Sequence, residues 1–350
     1  MALRSVLPRR SIRLSLRTNP IRCFATVEPI TLVGKAPQPP QKPPLPPQTA
    51  SRSLDALVLS ELHKSRGATL PAIVTQYVDN AGHVLQTPLP YESRPDTTRR
   101  VAFDSSDGVV LVAHAFRHGD AHKVALCTGF VLNASSSSQN DDGGAVVLSC
   151  AHTLEEVNGP PYSRSSPSVL TRCAAPSASG SFIISTGSGQ PVLHPVQNVL
   201  SSLHRSDLLL LSTASSPSAR RLPLSPYPAQ PGTAVRAHVV VYEEPDEEGW
   251  TPWVGATWSK WVRGTILGYR DFAGREAQPG TYDALSHMLF KPLPTPGSSG
   301  GPIVDEESGA VVGVMLGTRM DNRVEGLRGW GVPSEAAFEM FSLPGLNLTR

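Results

Sequence analysis

No stretch of the chain approaches the ~18 consecutive apolar residues that a membrane-spanning helix requires, so no membrane span is expected. Cysteine is scarce, with four residues, Cys23, Cys127, Cys150 and Cys173. Three of them lie beyond the N-terminal segment, an odd number without zinc-site spacing. That excludes a disulfide framework and fits a reducing compartment. Charged residues make up only 17% of the chain, and outside the N-terminus there is no basic stripe. A nucleic-acid partner is therefore not expected. No unit repeats with a period of 20–50 residues, which excludes solenoids and propellers. The ten histidines form no ligand cluster. His114, His118 and His122 are evenly spaced, but they straddle a strand end and a turn at Gly119. Neither a metal nor a cofactor is expected.

What the chain does have begins at its N-terminus. Residues 1–24 carry Arg4, Arg9, Arg10, Arg13, Arg17 and Arg22, with serines and leucines between them and no acidic residue. This is the composition of a mitochondrial transit peptide. Arg22-Cys23-Phe24-Ala25-Thr26 resembles a processing-peptidase site, with the cut after Phe24, and predicts a mitochondrial protein of the matrix. Residues 25–52 read as a Pro-rich linker, because the tract 36–49 favours extended polyproline II and has few amides to donate.

Residues 53–100 form an extension. A short amphipathic helix is predicted over 53–65, with Ser53 as its cap and Gly67 as its end. A hairpin is predicted from 72–78 and 83–87, turning at Asp79-Asn80-Ala81-Gly82. The extension packs either on the main domain or on another subunit, and the sequence leaves both open.

From 101 to 345 short β-branched runs alternate with segments rich in Gly, Pro, Ser and Asn. The runs are 109–115, 124–132, 145–149, 181–186, 208–212, 235–242, 262–269, 287–290, 310–316 and 329–332. This spacing predicts an all-β barrel or sandwich. Ser135–Gly144 reads as an exposed loop, and Ser334–Phe341, after Pro333, as a helix.

Three segments carry the chemistry. Val146-Val147-Leu148-Ser149-Cys150-Ala151-His152-Thr153 places a histidine just past an apolar strand. Ser206-Asp207-Leu208-Leu209-Leu210-Leu211 places an aspartate just before one. Pro296-Gly297-Ser298-Ser299-Gly300-Gly301-Pro302 sets a serine among glycines. A serine hydroxyl needs an imidazole to take its proton, and the imidazole needs a carboxylate to fix its tautomer. The developing oxyanion needs backbone N–H donors, and glycine at 297 lets the amides of 297 and 299 converge. Each segment alone is weak, since such residues are most often loop or cap residues. Together they predict His152, Asp207 and Ser299 as a catalytic triad. The segment Gly297, Ser298, Ser299 is its oxyanion hole. His204 lies near Asp207 as a rival base, on a loop too short for triad geometry.

These three motifs resemble those of trypsin-like serine peptidases over about residues 101–345. The flavour is closest to the HtrA/DegP branch. Gly129-Phe130-Val131-Leu132 is similar to an early strand of that branch, and Gly329-Trp330-Gly331-Val332-Pro333-Ser334-Glu335 to its domain ending. The resemblance implies two six-stranded antiparallel β-barrels, His152 and Asp207 on the first and Ser299 on the second. It also implies that the chain can form a homo-oligomer. Ser298 stands where secreted trypsins carry an aspartate for a freed N-terminus, so no such zymogen cleavage is expected. Thr153 replaces their cysteine after the histidine and leaves Cys127 without its usual partner. Cys150 is expected to act as a small buried hydrophobe. No PDZ domain is expected after the barrels.

By the same resemblance the specificity pocket falls at Leu293, with Met315 and Leu316 as a wall. Leu293 as an ordinary core residue remains equally open. The function implied is a serine endopeptidase acting on polypeptide substrates. The alternatives are a trypsin-fold scaffold with little or no activity and, last, an esterase.

Overall fold

The structure, a computed structural model, describes residues 53–119, 121–134, 144–158, 178–187, 190–322 and 324–343. The expected transit peptide, the linker, most of the 135–144 loop, Cys23 and Cys173 lie outside these residues.

Helix α1 (Ser53–Leu62) and helix α2 (Leu70–Asp79) come first. The first barrel is built from β1 (Val109–His118), β2 (Ala121–Val131), β3 (Val146–Cys150), β4 (Ala178–Gly187), β5 (Gln190–Leu203) and β6 (Leu208–Thr213), with helix α3 (His152–Asn158) after β3. The second contains β7 (Ala234–Val241), the short β8 (Thr251–Pro252), β9 (Trp258–Arg270), the short β10 (Glu276–Ala277), β11 (His287–Lys291), β12 (Pro302–Asp305), β13 (Val311–Asn322) and β14 (Gly326–Pro333). The chain then enters helix α4 (Glu335–Phe338).

Both barrels close with antiparallel pairing. The first runs β1-β2-β3-β6-β5-β4 and returns to β1. The second runs β9-β11-β14-β13-β12-β7, and a β7–β9 pairing closes it into a six-stranded ring. One long strand changes partners in each. β5 pairs with β4 over Gln190–Pro195 and with β6 from Val196 onward, with register shifts after Val196 and Val199. β9 pairs with β7 over Trp258–Thr265 and with β11 over Thr265–Arg270. Bulges and bends of this kind let a flat ladder curl shut. At Gly264 a Cβ would lie 1.8 Å from the Lys291 carbonyl oxygen, so only glycine allows the crossing.

The four leucines of β6 show how the core is divided. Leu209 and Leu211 point into the first barrel, beside Val112, Cys127 and Ile183. Leu208 and Leu210 point the other way, into a layer shared with Val304, Val311, Val314 and Val332 of the second barrel. Alternation along a strand with both faces covered produces such a continuous apolar run. All four are fully buried, each contributing about 1.5–3 kcal/mol of transfer free energy. Asp207 is thereby fixed at the start of a strand anchored on both sides.

Residues 72–78 are not a strand, contrary to the hairpin expected there. They lie in α2, which begins after Thr69 with Pro71 in its first turn and buries Leu70, Ile73 and Tyr77. Those three repeat every three to four residues, which is a helical stripe. The β-branched Ile73-Val74-Thr75 hides it, and tertiary packing overrides local propensity. The 83–87 segment makes one parallel bridge, Leu85 to Phe341. The extension packs on this chain: α1 buries Leu54, Val58 and Leu62 against Ala113, Phe182 and Ile184.

Candidate active site

His152 opens α3, directly after β3. Asp207 closes a 3-10 turn, His204–Ser206, in a left-handed conformation with φ 54°. A short polar side chain tolerates that region best among non-glycine residues. The two side chains meet at 2.5 Å between His152 Nδ1 and Asp207 Oδ2. Asp207 Oδ1 accepts two further hydrogen bonds, from the backbone N–H of Ala151 at 3.0 Å and of His152 at 2.7 Å. The carboxylate therefore grips both the ring and the backbone of its partner. It fixes the tautomer with the proton on Nδ1, leaving Nε2 as the base. Burial alone would lower the imidazole's pKa, but the Asp207 carboxylate, by hydrogen bond and charge, outweighs it and the net shift is upward.

Ser299 lies on the loop between β11 and β12. The loop is stitched to the first barrel through Thr128 of β2, whose N–H donates to Ser299 O at 2.8 Å and whose Oγ1 donates to Gly297 O at 2.8 Å. The Ser298 hydroxyl is fully buried and accepts from the Val240 N–H at 2.9 Å, in contact with Thr295 Oγ1 at 2.7 Å. A side-chain oxygen at 298 thus pins the loop to β7. The Ser298 N–H donates to Thr295 O at 3.0 Å and is not free for an oxyanion. Among the described residues the N–H groups of Gly297 and Ser299 donate to no protein acceptor. They are the pair left for that role.

Gly297 has φ 90° and Gly300 φ 82°. A Cβ at 300 would sit 2.1 Å from Thr128 O and 2.9 Å from Cys150 N. The serine loop thus presses on the end of β3, two residues before His152.

The expected contact between nucleophile and base is absent. Ser299 Oγ donates to the carbonyl of Leu316 at 2.9 Å. His152 Nε2 faces the Cys150 thiol at 3.8 Å. No hydrogen bond joins Ser299 and His152 among the described residues. Contacts between a nucleophile and its base are commonly long or misaligned without substrate and tighten when it is present.

Of the expected specificity residues, Met315 is fully buried in the second-barrel core with Met288 and Ile303. Leu316 points to the opposite side, against the first barrel, and Leu293 is 48% exposed. The register of β13 against β14 shifts between Met315 and Gly317, which places Leu316 in a bulge, and the two side chains pack in different clusters rather than on one wall. His204 bonds the Tyr77 carbonyl at 3.1 Å and takes no part in the dyad. Cys127 and Cys150 are free, buried thiols.

The trypsin-like peptidase domain model matches residues 127–314, from β2 through the Ser299 loop into β13. The chain belongs to the trypsin-like peptidase family. No curated protein matches this trypsin-like peptidase. Similar solved structures include Deg5, 13% identical, covering 67% of this chain and 86% of its own, with TM-score 0.40. The MamO protease domain from Magnetospirillum magneticum is 14% identical, with coverages of 65% and 93% and TM-score 0.38. A serine endoprotease from Yersinia pestis is 15% identical, with coverages of 68% and 64% and TM-score 0.39.

Sequence reasoning missed Thr128 and the Leu316 carbonyl. Neither has a motif signal, because each acts through backbone geometry that only the folded barrels create.

Proposed function

We propose that this trypsin-like peptidase is a serine endopeptidase working through His152, Asp207 and Ser299. The observation that carries the reading is the His152–Asp207 dyad, with its carboxylate held by two backbone amides, beside a glycine-framed serine. In the reaction Ser299 turns from Leu316 O toward His152 Nε2. Its Oγ attacks the scissile carbonyl carbon while the proton passes to Nε2. The oxyanion is held by the N–H groups of Gly297 and Ser299. The imidazolium, stabilised by Asp207, then protonates the leaving amine. A water deprotonated by the same imidazole releases the acyl group. An extended polypeptide pairing with strand edges beside the cleft would be the substrate.

Labelling with a serine-directed fluorophosphonate tests this: the wild type should label and Ser299→Ala should not. Equal labelling of both would overturn the triad. The proposed site of action is the mitochondrial matrix, after removal of residues 1–24. Import of the full chain into isolated mitochondria, with shortening at Phe24, checks it.

A second reading, a trypsin-fold binding protein with little activity, draws on the Ser299 hydroxyl being committed to Leu316 O. Failure of both the wild type and Ser299→Ala to label would favour it.

A further inference from the structure

Tyr77 of α2 touches both segments that carry the dyad. Its Oη donates to Glu155 Oε1 at 2.7 Å, one turn along α3 from His152. Its ring lies 4.3 Å from that of His204, which begins the turn ending in Asp207. Its carbonyl accepts from His204 Nε2 at 3.1 Å and from Ser202 Oγ at 2.7 Å. The side chain is 7% exposed. Burial first, then the Glu155 carboxylate, push the phenol well above its usual pKa, so it remains a donor across the working pH range.

The helix around Tyr77 is itself anchored. Gln76 Oε1 accepts from the Val199 N–H at 2.8 Å, Asn80 Nδ2 donates to Val199 O at 2.6 Å, and the Gly82 N–H donates to Ser202 O at 2.8 Å. α2 is thus fixed along β5 and cannot shift without breaking barrel contacts. α3, by contrast, has only seven residues. A helix that short holds its place through tertiary packing, here Leu154 and Val157 in the first-barrel core and Glu155 on Tyr77.

We infer that Tyr77 is a positioning residue for the His152–Asp207 dyad, tying α3 to the Asp207 turn from behind the active site. The extension before the barrels is then a working part of the catalytic unit. The inference rests on the proposed role of that dyad, but its contacts do not involve Ser299.

The test is Tyr77→Phe in the full chain, with titration of His152 by NMR in a Ser299→Ala background. Asp207, Glu156, Cys127 and Cys150 face His152, and none of them is altered. Loosening the dyad weakens Asp207's hold on the imidazole, so the His152 midpoint should fall. With Ser299 intact, peptide turnover should drop about threefold to tenfold, the weight of one hydrogen bond, with KM within about twofold. Glu155→Gln keeps an acceptor and should retain most of the turnover that is lost when Glu155→Ala removes the contact. Val78→Ala, on the exposed side of α2, should change nothing.

A lower melting temperature for Tyr77→Phe with an unmoved His152 midpoint would mean a merely structural residue and would overturn the inference. The NMR arm needs no activity. If fluorophosphonate labelling fails while the midpoint falls, the proposed function is wrong and the positioning stands.

Discussion

Ser299 Oγ and the carbonyl oxygen of Leu316, 2.9 Å apart, form the one side-chain hydrogen bond of the serine among the described residues. Breaking it costs about 0.5–1.5 kcal/mol net, and in the proposed reaction a bond to His152 Nε2 takes its place. A crystal structure of the phosphonylated protein should show Ser299 Oγ off Leu316 and the phosphonyl oxygen against the N–H groups of Gly297 and Ser299. An adduct whose oxygen avoids both amides would rule out that oxyanion site.

Thr128 holds the serine loop by two hydrogen bonds, one from its backbone and one from Oγ1. Thr128→Val keeps shape and backbone but leaves the Gly297 carbonyl without its donor. An orphaned buried acceptor costs about 1–3 kcal/mol, and this part-buried one less. Urea denaturation should register that loss of stability. Because the Gly297 amide would lose its aim, turnover should also fall, by about tenfold or more. Unchanged turnover with reduced stability would show that Thr128 braces the fold but not the amide pair.

The pH dependence follows from the His152–Asp207 pair. The imidazole acts as a base only when neutral, and its pKa is shifted upward from 6.5. The acid limb of kcat/KM should therefore have its midpoint above that ordinary value. Asp207→Asn removes the charge that raises it, so the midpoint should drop while kcat falls by about 10⁴. Stability has the opposite sign. A raised folded pKa stabilises fully below the unfolded value and loses its effect as pH climbs through the folded one. Denaturation of Ser299→Ala at a series of pH values checks this, and replacing Asp207 should flatten the trend.

Much of this was legible in the sequence because the chemistry sits at strand ends. His152 follows an apolar strand and Asp207 precedes one, and strand ends are where short apolar runs are easiest to see. Both barrels were likewise announced by runs such as Leu208–Leu211. β5 was invisible because Pro191 and Pro195 break its pattern. They are tolerated because that half pairs only with β4, leaving one edge where a missing N–H is harmless. α2 was hidden by β-branched residues whose helical stripe matters only once the barrel is there to cover it. The arrangement of the expected specificity wall was not legible because it turns on a bulge at Leu316, between Met315 and Gly317, which leaves the two side chains in different clusters. The Ser299–Leu316 contact depends on a side-chain rotation that no sequence pattern encodes.

Gly300 offers the sharpest test of how the two barrels meet. Its φ of 82° is costly for any residue with a Cβ. The added carbon of alanine would lie 2.1 Å from Thr128 O and 2.6 Å from Ser149 Oγ. The first of these is backbone on β2 and cannot move without disturbing the barrel. Backbone strain of about 1–2 kcal/mol adds to the displacement of a packed interface, and the sum enters the range of about 4–5 kcal/mol that marks severe substitutions. Gly300→Ala should therefore unfold at much lower urea than the wild type, and what remains folded should not label with fluorophosphonate. Gly274→Ala is the control. It shares a positive φ, 79°, but has open space around the Cβ position, so it should cost only the conformational part and label normally. If both variants lose the same small amount of stability, the serine loop does not press on β2 as closely as these distances require.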